Sequence, residues 1–205
     1  MEYIKFGNLK DFMHKFLKKN YYSESFLCFI TCQILTSLKY CHTGQVCHFD
    51  LKPQNILIDE YLNIKLIDFS VSLDYNKIKS NKIHLPLCGT SLFMAPEVLK
   101  TQIINVKDLN KIDLFSLGVI LYNFAFETYP YGLTAHDIKK YDIIYDKIYN
   151  NPLEMENEDN YYSSYFIDFL KQLLEKDINT KININKTFEN YWVKGGQILY
   201  NIPFF

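Results

Sequence analysis

Apolar residues recur along the chain at two spacings, and the switches between them delimit its elements. Leu9, Phe12, Met13, Phe16 and Leu17 fall three and four apart, which predicts an amphipathic helix capped by Asn8. A longer helix is predicted from about Ser23 to His42, with Phe26, Phe29, Ile30, Gln33, Ile34, Leu38 and Cys41 on one stripe and Gly44 ending it. Ile56 to Ile58 and Ile64 to Ile67, joined by the polar turn Asp59 to Asn63, then read as a β-hairpin. From Asp113 to Tyr122 the chain is apolar nearly all round, the pattern of a helix enclosed by others. Tyr129-Pro130-Tyr131-Gly132 breaks the chain, a helix is predicted from Ala135 to Tyr149, and the acidic stretch Asn150 to Asn160 reads as a surface loop. Tyr165 to Glu175 and about Lys186 to Val193 supply the last helices, with Trp192 as a core anchor.

The sequence contains neither an internal repeat nor a linker, so 205 residues, 48% of them hydrophobic, predict one mainly α domain around one core. It has no run of eighteen apolar residues and no signal-peptide pattern in the first twenty, so the expectation is an intracellular, cytoplasmic protein with no membrane partner. Five cysteines without metal-ligand spacing to histidine read as reduced, packed thiols. A net charge of −1 excludes the basic footprint of a nucleic-acid binder. All 22 basic residues are lysine, so every cation here is a point charge and none a bidentate fork.

Candidate chemistry gathers in Cys47-His48-Phe49-Asp50-Leu51-Lys52-Pro53-Gln54-Asn55, where a carboxylate, an ammonium and a carboxamide share one short loop. The predicted hairpin follows at once and returns the chain at Asp68, bringing a second carboxylate beside the first. Phosphoryl transfer needs such a set: a carboxylate to receive the hydroxyl proton, oxygen ligands for Mg²⁺ and a cation against the phosphate.

His48 to Asn55 resembles the H-R-D-L-K-P-x-N catalytic loop of eukaryotic protein kinases, Asp68-Phe69-Ser70 resembles their D-F-G, and Ala95-Pro96-Glu97 matches A-P-E. Cys88-Gly89-Thr90-Ser91-Leu92-Phe93-Met94 before it is similar to the serine/threonine type. The resemblance implies the large, C-terminal lobe of a kinase, with a hinge at 1–7, the lobe over 8–205, a small β-hairpin at the catalytic loop and the N-terminal β lobe absent. It implies ATP and Mg²⁺ as cofactors and a protein with a serine or threonine acceptor as substrate, and leaves a regulatory protein partner open. By the same resemblance Asp50 is the catalytic base, Lys52 neutralises the transferring group, and Asn55 and Asp68 hold Mg²⁺. Glu2 and Ile4 would meet the adenine edge through their backbone, with Met1 as gatekeeper and Leu57 under the ring. His48 and Phe69 become packing residues, Thr90 a structural contact to Asp50 and Lys52, and Asp113 the anchor of the loop backbone. His14, His42, His84 and His136 are expected to be ordinary histidines.

Several positions depart from the family pattern. Before Met1 there is no glycine-rich loop, strand lysine or helix glutamate, so the expectation is a chain carrying the lower jaw and hinge, with weak ATP binding and little turnover. Phe49 replaces an arginine that meets a phosphate on the activation segment, which predicts that phosphorylation at Ser80 or nearby is not the on-switch. Ser70 replaces a glycine and is expected to restrict the backbone beside Asp68. Lys181 stands where an arginine pairs with the A-P-E glutamate, so its contact to Glu97 is expected to be monodentate. Asn8, Gln54 and Asn123 put amides where arginine-preferring kinases carry acids, predicting no strong arginine requirement in the substrate. A scaffold without catalysis, similar to a pseudokinase, is the competing reading: it tolerates Phe49 and a missing lobe, but has no need of all four chemical residues.

Overall fold

The computed structural model describes residues 4–16, 22–155 and 161–200. Eight helices and three two-stranded sheets make up the described residues: α1 (Leu9–Phe16), α2 (Glu24–Thr43), β1 (Val46–Cys47), β2 (Ile56–Ile58), β3 (Ile64–Leu66), β4 (Leu73–Asp74), β5 (Lys82–His84), α3 (Pro96–Leu99), β6 (Ile103–Asn105), α4 (Asn110–Phe126), α5 (Tyr141–Asn150), α6 (Ser164–Leu173), α7 (Ile184–Thr187) and α8 (Tyr191–Tyr200). The sheets are antiparallel pairs, β1 with β4, β2 with β3 and β5 with β6. The fold is mainly helical, as expected.

The core is built around α4, in which every residue from Lys111 to Tyr122 is buried. Together with the turn before it, this helix is long and apolar enough to cross a membrane, yet it lies inside the domain. A Cβ on Gly118 would stand 2.9 Å from Leu173 Cβ and 3.0 Å from Leu174 Cγ, so the missing side chain is what lets α6 lie against α4. At the start of α2, Glu24 Oε1 accepts from the Trp192 indole at 2.8 Å and from Ser163 Oγ at 2.6 Å. That carboxylate ties α2, α6 and α8 together, with Trp192 packed on Phe166 and Phe169 as the anticipated core anchor.

Helix starts follow from local chemistry. Asn8 Oδ1 accepts from Asp11 N at 3.0 Å, and Ser23 Oγ from Phe26 N at 3.3 Å, each satisfying an amide that the first turn would leave open. The stripe anticipated on α2 is only partly the buried one. Ile30, Ile34 and Leu38 are buried, but Phe26, Phe29, Gln33 and Cys41 are half-buried, while Leu27, Cys28, Thr31, Cys32, Leu35 and His42 complete the buried face. The reason is that α7 and α8 cover one side of α2 and β3 another, so its buried surface is wider than one stripe.

Two predicted helices are corrected. The stretch from Ala135 to Tyr149 divides into a 3₁₀ turn, Ala135–Asp137, and α5. Thr134 and Asp137 close a capping box, and Lys139 takes φ 65°, which no helix accommodates. The last segment likewise divides into α7 and α8, with Asn190 Oδ1 accepting from Trp192 N at 2.9 Å to start the second helix. Of the predicted 150–160 loop, 156–160 fall outside the described residues.

Candidate active site

The loop that carries Asp50, Lys52 and Asn55 hangs from one buried carboxylate. Asp113, in the first turn of α4, accepts from Phe49 N on Oδ1 and from His48 N on Oδ2, both at 2.9 Å. His42 Nε2 lies 2.8 Å from the same Oδ2, and Cys47 Sγ donates to it at 3.3 Å. Burial pushes the Asp113 carboxyl up, but His42 and the loop amides outweigh it and hold the group below its ordinary range. The same burial, with Asp113 alongside, raises the Cys47 thiol well above its usual value, so it acts as a hydrogen-bond donor. His42, expected to be an ordinary surface or core histidine, is a buried one, one residue from the end of α2 and five before Cys47.

Phe49 takes φ 65° and is buried. Gly89, at φ 100°, passes so close that a Cβ there would stand 2.4 Å from the Phe49 carbonyl oxygen. This approach sets Thr90 against the loop. Thr90 Oγ1 donates to Asp50 Oδ1 at 2.7 Å and accepts from Lys52 Nζ at 2.9 Å, the structural contact anticipated for it. Lys52 Nζ also lies 2.6 Å from Asp50 Oδ2. Asn55 sits in a 3₁₀ turn opened by Pro53, whose fixed φ suits a first helical position. Its Nδ2 donates to the Asp50 carbonyl at 2.9 Å and to Oδ2 at 3.2 Å, leaving Oδ1 with no hydrogen bond among the described residues.

The hairpin returns Asp68 to this loop as anticipated. Ile67 N donates to the Asn55 carbonyl at 3.0 Å, and His48 Nε2 stands 3.0 Å from the Ile67 carbonyl. The buried His48 ring packs on Phe69 at 4.7 Å, while Phe69 itself stays exposed. On α2, the Gln33 side chain holds the hairpin from outside, donating to the Leu62 carbonyl at 3.0 Å and accepting from Ile64 N at 3.1 Å. Asp68 itself takes φ 62° with an exposed carboxylate. Hydrogen bonds from the Ser70 hydroxyl and amide, with lesser contributions from Lys52 and His48, hold that carboxyl below its ordinary range.

Ser70, expected to restrict the backbone beside Asp68, is not among the residues with positive φ, so its side chain meets no left-handed strain. Instead it donates to Asp68 Oδ1 at 2.7 Å, a contact that comparison of residue types alone did not disclose. At the far edge, Ile58 N donates to the Gly7 carbonyl at 2.9 Å, and Asn8 bridges Leu57. These bonds lay the segment from Ile4 to Gly7 along the hairpin beside half-buried Leu57. Met1 and Glu2 lie outside the described residues.

The anticipated partner of Glu97 is in place. Lys181 Nζ lies 2.9 Å from both carboxylate oxygens, so one ammonium spans the pair and the contact is not to a single oxygen. Burial lowers the Lys181 pKa, only partly offset by Glu97.

The protein kinase domain family matches residues 1–193. This chain belongs to the protein kinase domain family. Its relatives place the kinase domain in the serine/threonine type of the eukaryotic superfamily. It is 30% identical over 196 residues to CBL-interacting serine/threonine-protein kinase 12 of Arabidopsis thaliana, covering 96% of this chain and 37% of that relative. It is 33% identical over 198 residues to calcium-dependent protein kinase 6 of Plasmodium berghei, covering 95% of this chain and 12% of the other. It is 29% identical over 204 residues to SNF1-related protein kinase catalytic subunit alpha KIN12 of Arabidopsis thaliana, covering 99% and 38%. The kinase domain thus spans well under half the length of these relatives.

Proposed function

We propose that this chain transfers the γ-phosphoryl group of ATP to serine and threonine hydroxyls of proteins. The observation that carries the reading is how the oxygens at the site are divided. Both oxygens of Asp50 face Lys52, Thr90 and Asn55, whereas Asn55 Oδ1 and Asp68 Oδ2 take no hydrogen bond among the described residues. A neutral carboxamide oxygen and an ionised carboxylate at one edge suit a hard divalent cation such as Mg²⁺. When bound there, Mg²⁺ neutralises phosphate charge.

The chain's own residues do the rest. Asp50 orients the acceptor hydroxyl and receives its proton as the hydroxyl oxygen bonds to phosphorus and the bond to the ADP oxygen breaks. Lys52 holds its ammonium against the transferring group. Leu57 would lie under the adenine and the backbone of Ile4 would meet its edge, the role also assigned to Glu2 outside the described residues. Residues 1–7 are proposed as hinge and 8–205 as the lobe. Gln54 and Asn123 line a cavity of about 310 Å³, and amides at these positions support a substrate that carries no required arginine. Five free thiols support a reducing, cytoplasmic setting. Two relatives carry in their names an interaction with CBL or a dependence on calcium, and a regulatory protein partner is the corresponding proposal.

The test is phosphate transfer from labelled ATP to a mixed protein substrate, with phosphoamino-acid analysis. Asp50→Asn is expected to lower the rate by about 10²- to 10⁴-fold. Label on tyrosine, or equal rates for wild type, Asp50→Asn and Asp68→Asn, overturns the proposal.

A further inference from the structure

The geometry points to Ser70 as a positioning residue that fixes the Asp68 carboxylate in one rotamer, with one oxygen occupied and the other presented to a divalent cation. The inference rests on the reading of Asp68 as a cation ligand and extends it to the residue that donates to it. Asp68 sits at the exit of a hairpin, exposed and in a left-handed backbone conformation, so neither packing nor regular structure holds its side chain. Two donors do. Ser70 Oγ reaches Asp68 Oδ1 at 2.7 Å, a normal length for a hydroxyl to a carboxylate, and Ser70 N reaches the same oxygen at 3.4 Å. The amide contact is long, and any residue at position 70 could make it; the hydroxyl contact is short and depends on the side chain.

Both donors choose Oδ1, so Oδ2 is left without a hydrogen bond from the described residues. A carboxylate held through one oxygen cannot swing to exchange the two, and its free oxygen keeps one direction. Partners of this kind typically set the orientation of a metal-binding carboxylate, and their removal weakens metal affinity. Serine adds this donor two residues away without entering the left-handed region itself.

Two measurements on the full chain separate this inference from the reading beneath it. Side-chain couplings of Asp68 by nuclear magnetic resonance, without metal, are expected to show one χ1 rotamer in wild type and Ser70→Thr and an average in Ser70→Ala and Ser70→Gly. Mn²⁺ binding followed by electron paramagnetic resonance is expected to weaken by about tenfold in Ser70→Ala and to be restored in Ser70→Thr. A single rotamer persisting in Ser70→Ala overturns the inference, as does unchanged Mn²⁺ affinity in that variant when Asp68→Asn loses it. Equal Mn²⁺ binding by wild type and Asp68→Asn instead overturns the role of Asp68 as a ligand, while the couplings still decide what Ser70 holds.

Discussion

Replacing Lys181 by methionine isolates the energetics of a buried ion pair in a chain that has no arginine. The side chains of Lys181 and Glu97 are almost entirely inaccessible, and each oxygen of Glu97 lies 2.9 Å from the ammonium. Methionine fills similar volume but leaves a carboxylate inside the protein without its counter-charge, a loss of about 3–5 kcal/mol. For a chain of 205 residues this is a fall in Tm of roughly 7–12 °C, followed by thermal melting with circular dichroism at neutral pH. The reverse change, Glu97→Gln, is expected to do less damage. It strands an ammonium whose pKa burial already lowers and which can shed its proton. The double variant Glu97→Leu with Lys181→Met should recover most of the loss, because no unpaired charge remains. A Tm change under about 2 °C for Lys181→Met, with a further fall in the double variant, would show that the pair contributes packing alone and refute the reasoning.

Three further outcomes are expected. Asp113→Asn should cost about 2 kcal/mol near neutral pH in urea unfolding; because the native carboxyl is held below its ordinary 3.8, its contribution is present above that value and fades as pH falls below it, so the gap to wild type should shrink in acid. Gly89→Ala should cost about 1–3 kcal/mol from the left-handed φ alone, and the clash with the Phe49 carbonyl should raise hydrogen exchange across residues 47–52. Thr90→Val should cost about 1 kcal/mol in the same unfolding assay, since it removes the hydroxyl shared by Asp50 and Lys52.

The parts of this fold that could be read from residue order are those in which chemistry is local. The hairpin from Ile56 follows from alternation around a polar turn, and Asn8 and Ser23 cap their helices through amides three residues away. The meeting of Asp50, Lys52 and Asn55 is legible for the same reason, as six residues span it. What stayed hidden depends on distant partners. The buried face of α2 is set by α7, α8 and β3, none of which the periodicity of α2 can announce. His42 looked ordinary because its carboxylate lies 71 residues away. The interruption at Lys139 has no glycine or proline to mark it, and only the capping box around Thr134 explains it. Ser70 was judged by the glycine it replaces, and its value as a donor required knowing where the Asp68 carboxylate points.

Helix α4 contacts two segments of the site from adjacent turns. Asp113 carries the loop that holds Asp50, and three residues later Ser116 Oγ donates to the Phe93 carbonyl at 2.8 Å, just before Ala95-Pro96-Glu97. Three residues of α-helix rise about 4.5 Å, so the Asp50 loop and the stretch beside it are mounted on one rigid gauge. Their separation is therefore insensitive to motions elsewhere in the domain, and changing it requires bending the most deeply enclosed helix of the protein.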